Sequence, residues 1–92
     1  MKAHVITTGG AILEVAPANN HDFSLDELQK IVGGYIDIIN LTESQIMVLN
    51  DEGKLNGLPI NEEATKLFRT AYKGTNDYIV GDVLVCNTKM VE

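Results

Sequence analysis

Cysteine is nearly absent from this chain of 92 residues, and basic residues are few. The single cysteine, Cys86, cannot form an internal disulfide, and no C-x-x-C metal or redox motif occurs. Seven Lys and Arg stand against thirteen Asp and Glu, giving a formal net charge of −6. Because phosphate affinity depends on clustered basic residues, this balance argues against duplex nucleic acid or an anionic membrane as the partner. It remains compatible with a small anionic ligand, which one helix N-terminus and one or two cations can hold.

Long apolar runs are also missing. No stretch approaches the ~20 apolar residues of a membrane span, and residues 1–8 lack the apolar run of a signal peptide. We therefore expect a soluble intracellular protein. The length suits a single domain over residues 1–92, in which oligomerisation would be a natural way to bury more surface.

The stretch 23–40 contains the best-marked element of the chain. Ser24 is a predicted helix N-cap, and Glu27, three residues later, completes a capping box. Gly33 can adopt the left-handed conformation that ends a helix, so the sequence predicts a helix over Leu25–Val32. The apolar residues that repeat at the spacing of one buried helix face are Leu25, Leu28, Ile31, Val32 and Tyr35.

Five segments have the pattern of strands. Residues 2–7 and 11–16 flank a glycine turn and form a predicted hairpin. Tyr35–Ile39 and Gln45–Leu49 carry large apolar residues on both faces, which is typical of strands covered on both sides or covered by a partner chain. The last strand, Tyr78–Cys86, should bulge or bend at its glycine. With a second helix, the predicted order is β-β-α-β-β-α-β and the fold class α+β, an antiparallel or mixed sheet with two α-helices.

The second helix is predicted between Asn61, its N-cap, and Gly74, its stop. Its predicted buried stripe consists of Ala64, Leu67, Phe68, Ala71 and Tyr72. The opposite side carries the densest basic group of the chain, Lys66, Arg69 and Lys73. A solvated charged face is the usual explanation of such a group, and phosphate contact is the sharper one. If the group contacts phosphate, Arg69 is the first candidate, because its planar guanidinium can bind a phosphate bidentately.

Other candidate ligand contacts each have a structural alternative. Gly33 and Gly34 could let a phosphate approach the backbone, although a helix stop explains them as well. Asn61 and the amides that follow it could hold an anion, although asparagine is also a common structural cap. Tyr35 and Tyr78 could stack on a base or form the rim of the core.

No catalytic constellation is visible. His4 and His21 are far apart in sequence, and no third and fourth ligand for a metal can be identified beside them. Cys86 follows Val-Leu-Val and is expected to be a small buried hydrophobe. We therefore predict that the protein is not an enzyme and uses no cofactor or metal.

Several pieces of the chain resemble a small domain of unknown function that is common in bacteriophages and mobile elements. They are Leu25-x-x-Leu28-Gln29-x-x-Val32-Gly33-Gly34-Tyr35-Ile36, Asn50-Asp-Glu-Gly-Lys54, Gly57-Leu-Pro-Ile-Asn61-x-x-Ala64-Thr65 and Ile79-Val80-Gly81-Asp82-Val83. The resemblance implies a small phage-borne protein that is located in the cytoplasm of the host cell. Compact phage proteins of this kind often counter host defence, in some cases by sequestering nucleotide signals in pockets between subunits.

Two functional hypotheses follow. The first is a homo-oligomeric anti-defence protein that binds a nucleotide immune signal, a cyclic oligonucleotide or an ADP-ribose derivative, without hydrolysing it. The second is an acidic protein-interaction inhibitor that binds a basic host defence protein directly. The predicted ligand contacts are Arg69, Lys66, Tyr35, Gly34, Asn61 and Thr65.

Overall fold

The computed structural model describes residues 3–91, and its elements follow the predicted order. The strands are β1 (Ala3–Ile6), β2 (Ile12–Val15), β3 (Ile36–Asn40), β4 (Gln45–Asn50) and β5 (Val83–Asn87). The helices are α1 (Leu25–Val32) and α2 (Glu62–Ala71), and a short 3-10 helix (Thr88–Met90) follows β5.

All five strands belong to one antiparallel sheet with the order β2-β1-β5-β4-β3. The two predicted hairpins, β1–β2 and β3–β4, pair as neighbours. Strand β5 then joins them by pairing with β1 on one side and β4 on the other. The α+β class is confirmed, and the open choice between an antiparallel and a mixed sheet resolves to antiparallel.

The two helices cover opposite faces of this sheet. Successive side chains of a strand point to opposite faces, so β4 and β5 supply two cores at once. On the first face, Leu28 and Val32 of α1 share a buried cluster with Val48 and Leu84. On the second face, Phe68 of α2 shares a cluster with the alternate residues of the same strands, including Met47, Val83 and Val85. The prediction of a doubly covered strand is therefore confirmed for β4.

Strand β3 is not central but lies at an edge of the sheet, and its cover by a partner chain stays a prediction. Its Ile38 points to the face covered by α1, opposite Val48, and is still 42% exposed. Helix α1 is only eight residues long and lies mainly over β4 and β5, so it leaves this edge partly open.

Strand ends are the least accurate part of the sequence prediction. The first strand was expected over residues 2–7, of which Lys2 lies outside the described residues. The last strand begins at Val83, because Gly81 takes a positive φ of 76° and breaks the extended run. Residues 78–82 are therefore a connecting segment, whose Val80 forms an isolated bridge with Ile60.

Both predicted helix stripes are partly wrong. Leu25 and Tyr35 of the first stripe are exposed, since the first lies at the start of the helix and the second beyond its end. In the second stripe Ala71 and Tyr72 are exposed. Helix α2 ends at Ala71, so Lys73 lies outside it and does not continue a helical row with the other basic residues.

Candidate functional site

One face of α2 borders a groove of about 310 Å³ that Tyr78 also lines. We call it the α2 groove, and its lining residues are Ile60, Glu62, Thr65, Lys66, Arg69 and Tyr78. Its four helical members are spaced i, i+3, i+4 and i+7, so they form one row on the helix surface. Ile60, just before α2, and Tyr78, in the segment 78–82, complete the lining from outside the helix.

Arg69 is held in place by backbone carbonyls. Its Nε donates a hydrogen bond to the carbonyl oxygen of Asp77 (3.0 Å), and an Nη2 N–H donates to that of Asn76 (3.3 Å). A guanidinium has five N–H donors in a rigid fork. The donors that are not bonded to these two carbonyls can form hydrogen bonds with a ligand. The side chain is thus oriented before any ligand arrives, which lowers the entropy cost of using it.

Tyr78 lines the α2 groove together with Arg69 and borders a second cavity as well. That cavity, of about 240 Å³, is bordered by Lys54 and by Phe68 of α2. The Nζ of Lys54 lies 4.3 Å from the centroid of the Tyr78 ring and forms an ion pair with Asp77. The hydrogen bond from Lys54, aided by the backbone N–H of Tyr78, lowers the pKa of the Asp77 carboxyl. Asp77 therefore stays charged at neutral pH and holds Lys54 against the ring.

Lys66 is the least constrained cation of the groove. Its Nζ lies 3.3 Å from the Glu63 carboxylate, and both side chains are well exposed. Exposed pairs of this kind contribute ~0–1 kcal/mol, so a ligand phosphate could compete for Lys66 at little cost.

Thr65 and Asn61 serve the fold, which leaves their side chains little capacity for a ligand. The Thr65 hydroxyl accepts from the amide of Ile79 (2.9 Å) and donates to the carbonyl of the same residue (3.4 Å). Asn61 is 0% exposed. Its amide nitrogen donates to the carbonyls of Ile6 and Gly81, each at 2.9 Å, and its oxygen accepts from the amide of Ala64 at 3.0 Å. The structural reading of Asn61 as a cap is the one that this geometry supports.

Gly34 and Tyr35 lie elsewhere, at the end of α1. They border an open cavity of about 450 Å³ together with polar residues such as Asn50 and Asn56. A Cβ on Gly34 would come within 3.0 Å of the Asn50 amide nitrogen, so packing against Asn50 explains this glycine. Gly33 adopts the left-handed conformation (φ 82°) and caps the helix through its amide, as predicted.

The six predicted contacts therefore do not form one site. Thr65, Lys66 and Arg69 border the α2 groove, Gly34 and Tyr35 border the cavity beside α1, and Asn61 is buried. Sequence reasoning did not select Lys54 or Ile60 for the site. Twenty-four positions separate Lys54 from Tyr78, and only the path of two connecting segments brings them together.

Neither the groove nor its surroundings presents a metal centre. Among residues 3–91, no group of three or more His, Cys, Asp and Glu side chains could hold a metal ion. His4 lies on β1 and His21 in the exposed loop before α1. Within the same described range, no helix is both long and apolar enough to cross a membrane.

Comparison with known proteins identifies a family but no relative of known function. A family model described as "Domain of unknown function (DUF3846)" matches residues 1–91. No curated protein and no solved structure matches the chain. The expectation of a domain of unknown function is thus confirmed, while the quoted motifs and the phage setting stay predictions.

Proposed function

The chain belongs to the DUF3846 family, whose function is unknown, and we propose that it binds a small phosphorylated nucleotide in the α2 groove and releases it unchanged. In the phage or mobile-element setting that the resemblance implies, such binding would withdraw a nucleotide signal of host immunity in the cytoplasm. The proposal rests on one arrangement, in which a pre-oriented Arg69 lines the same groove as the exposed side chain of Tyr78.

The α2 groove contains residues that suit the base of a nucleotide and residues that suit its phosphates. Tyr78 and the exposed Ile60 offer an apolar surface for a base. Stacking of a base on an aromatic side chain is worth ~1–3 kcal/mol. Arg69 and Lys66, which border the same groove, can bind phosphate oxygens.

The size of the groove limits the ligand. Pockets for small molecules usually measure ~300–1,000 Å³, so 310 Å³ is near the lower bound. A mononucleotide or one end of a larger molecule suits this volume. A cyclic oligonucleotide or an ADP-ribose derivative would extend into the adjoining cavity that shares Tyr78.

Binding without turnover is the simpler chemistry for these residues. The lining contains one carboxylate, Glu62, and neither histidine nor cysteine. A hydrolase of nucleotides needs a positioned base or a metal-activated water. We therefore propose a sequestering protein and not an enzyme.

Titration calorimetry with a mononucleotide, an ADP-ribose and a cyclic dinucleotide tests the proposal. A hydrogen bond to a charged group is worth ~1.5–3 kcal/mol, so Arg69→Gln and Lys66→Gln should each weaken binding about tenfold or more. Tyr78→Ala should weaken it through lost stacking. The matched control is Lys89→Gln, which removes an exposed cation outside the groove and should leave the affinity unchanged.

Chromatography of the ligand released by heat completes the test. The nucleotide should be recovered intact, and a converted product would indicate an enzyme. If no nucleotide binds and a host protein co-purifies instead, the second hypothesis, an acidic inhibitor of a defence protein, replaces the first.

A further inference from the structure

The sheet has two edge strands, β2 and β3. They differ in whether their outward N–H and C=O groups have hydrogen-bond partners. In an antiparallel ladder, residues alternately face one neighbour and the other. The amide of Leu41 donates to the carbonyl of Gln45, which sets the phase of the β3–β4 ladder. The even-numbered residues of β3, including Ile38 and Asn40, therefore direct their N–H and C=O groups away from the sheet.

Two outward backbone groups of edge β3 form hydrogen bonds with side chains of the same chain. The outward amide of Ile38 donates to the Asp37 carboxylate at 2.9 Å. The outward carbonyl of Asn40 accepts a hydrogen bond from the Tyr72 hydroxyl at 2.6 Å. A negative side chain and an occupied acceptor are typical means of preventing another strand from adding to an edge.

Edge β2 has no comparable protection. The amide of Thr7 donates to the carbonyl of Ala11, so Ile12 and Glu14 are the residues of β2 that face outward. Among residues 3–91, no hydrogen bond satisfies the outward amide or carbonyl of either residue. The side chains of Ile12 and Leu13 are 58% and 51% exposed, one on each face of the sheet.

We infer that β2 pairs antiparallel with the β2 strand of a second copy of the chain, joining two five-stranded sheets into one. A two-fold axis through Leu13 matches Ile12 with the partner's Glu14 and Glu14 with the partner's Ile12. Each matched pair exchanges two backbone hydrogen bonds, so about four would form. Leu13 then faces the partner's Leu13 at the close, non-hydrogen-bonded position, where side chains make most contact.

Charge favours the axis at Leu13 over an axis at Glu14. With the axis at Glu14, two carboxylates would oppose each other directly, which is destabilising. With the axis at Leu13, each carboxylate faces an isoleucine. Glu14 is the only charged residue of β2, so two chains that each carry a net charge of −6 can meet here without opposed charges.

Sedimentation across a concentration series tests the pairing. Wild-type protein should dimerise, and Leu13→Lys, which places two ammonium groups across the axis, should remain monomeric. Leu55→Lys, a matched change at an exposed leucine outside β2, should dimerise like the wild type. Circular dichroism of each variant separates lost pairing from lost folding. A wild type that is monomeric at every concentration, or a folded Leu13→Lys protein that still dimerises, overturns the inference.

Disulfide trapping tests the register independently. Opposed Cα atoms at a non-hydrogen-bonded position lie ~4.5 Å apart, within the ~4.4–6.8 Å of disulfides. Leu13→Cys should therefore give an oxidised dimer. In Ile12→Cys the two Cα atoms would lie about 8 Å apart, given ~3.3 Å per residue along a strand and ~4.8 Å between strands, too far for a bond. Preferential trapping of Ile12→Cys, or of Ile38→Cys on the other edge, would contradict the proposed pairing.

Discussion

Replacing Asn61 by alanine should destabilise the protein more than any typical cap substitution. Asn61 caps α2 and also ties the start of this helix to β1 and to the segment before β5. Losing the cap alone costs ~0.5–2 kcal/mol. Two buried carbonyls, those of Ile6 and Gly81, would each lose a donor as well, at ~1–3 kcal/mol apiece.

The sum is about 3–5 kcal/mol when the lower half of each range is used. At ~0.05–0.15 kcal/mol per residue, a chain of this length has a total unfolding free energy of about 5–14 kcal/mol. The substitution should therefore remove between about a fifth and all of the free energy of unfolding. With a slope of ~1–3 kcal/mol per molar urea, the unfolding midpoint should fall by roughly 2 M.

Urea titrations of three variants check this reasoning. Asn56→Ala, an exposed asparagine, should change the unfolding free energy by ~0.5 kcal/mol or less. Asn61→Asp keeps the cap acceptor but turns a buried carboxylate toward two carbonyl oxygens, so it should be at least as damaging as alanine at neutral pH. Burial would raise the pKa of that new carboxyl, so the native state would bind the extra proton and stability should recover as the pH falls. A loss below ~1 kcal/mol in Asn61→Ala would show that only the cap matters and that the two carbonyls find other donors.

Two further predictions concern titrating groups. Hydrogen bonds from the backbone amides of Ser24 and Ala18 lower the pKa of Glu27. The stabilisation by this carboxylate is therefore present above its unfolded pKa and lost as the pH falls through the folded one. Wild type should consequently lose its stability advantage over Glu27→Gln in acid; a gap between their urea midpoints that does not change with pH would contradict this. Burial raises the pKa of the Cys86 thiol to about 11. A thiol reagent should thus label native protein very slowly at neutral pH and label it fully after unfolding, and rapid labelling without denaturant would show that β5 opens.

Local signals explain what the sequence predicted well. The capping box at Ser24 and Glu27 and the left-handed Gly33 involve residues within one or two helical turns, and α1 has the predicted bounds. The two hairpins follow from short turns between apolar segments. These features need no knowledge of distant parts of the chain.

Long-range geometry explains what the sequence missed. Leu25 fits the spacing of the α1 stripe, but it is the first residue of the helix and is exposed. The pattern of β3 fits a central strand equally well, since an edge position depends on strand order and not on composition. Lys54 and Tyr78 meet only because of the tertiary path of the chain.

In a dimer joined at β2, a larger ligand would bind within one subunit and not between the two subunits. No residue of β2 borders the α2 groove, so a dimer joined at β2 would carry one complete groove in each subunit. The groove of about 310 Å³ and the cavity of about 240 Å³ that shares Tyr78 belong to the same chain. A ligand too large for the groove would thus displace Lys54 from the Tyr78 ring within one subunit, without crossing the seam between subunits. If the two proposals hold together, Leu13→Lys abolishes the dimer and leaves the affinity for a nucleotide intact, whereas a joint loss would place the ligand between subunits.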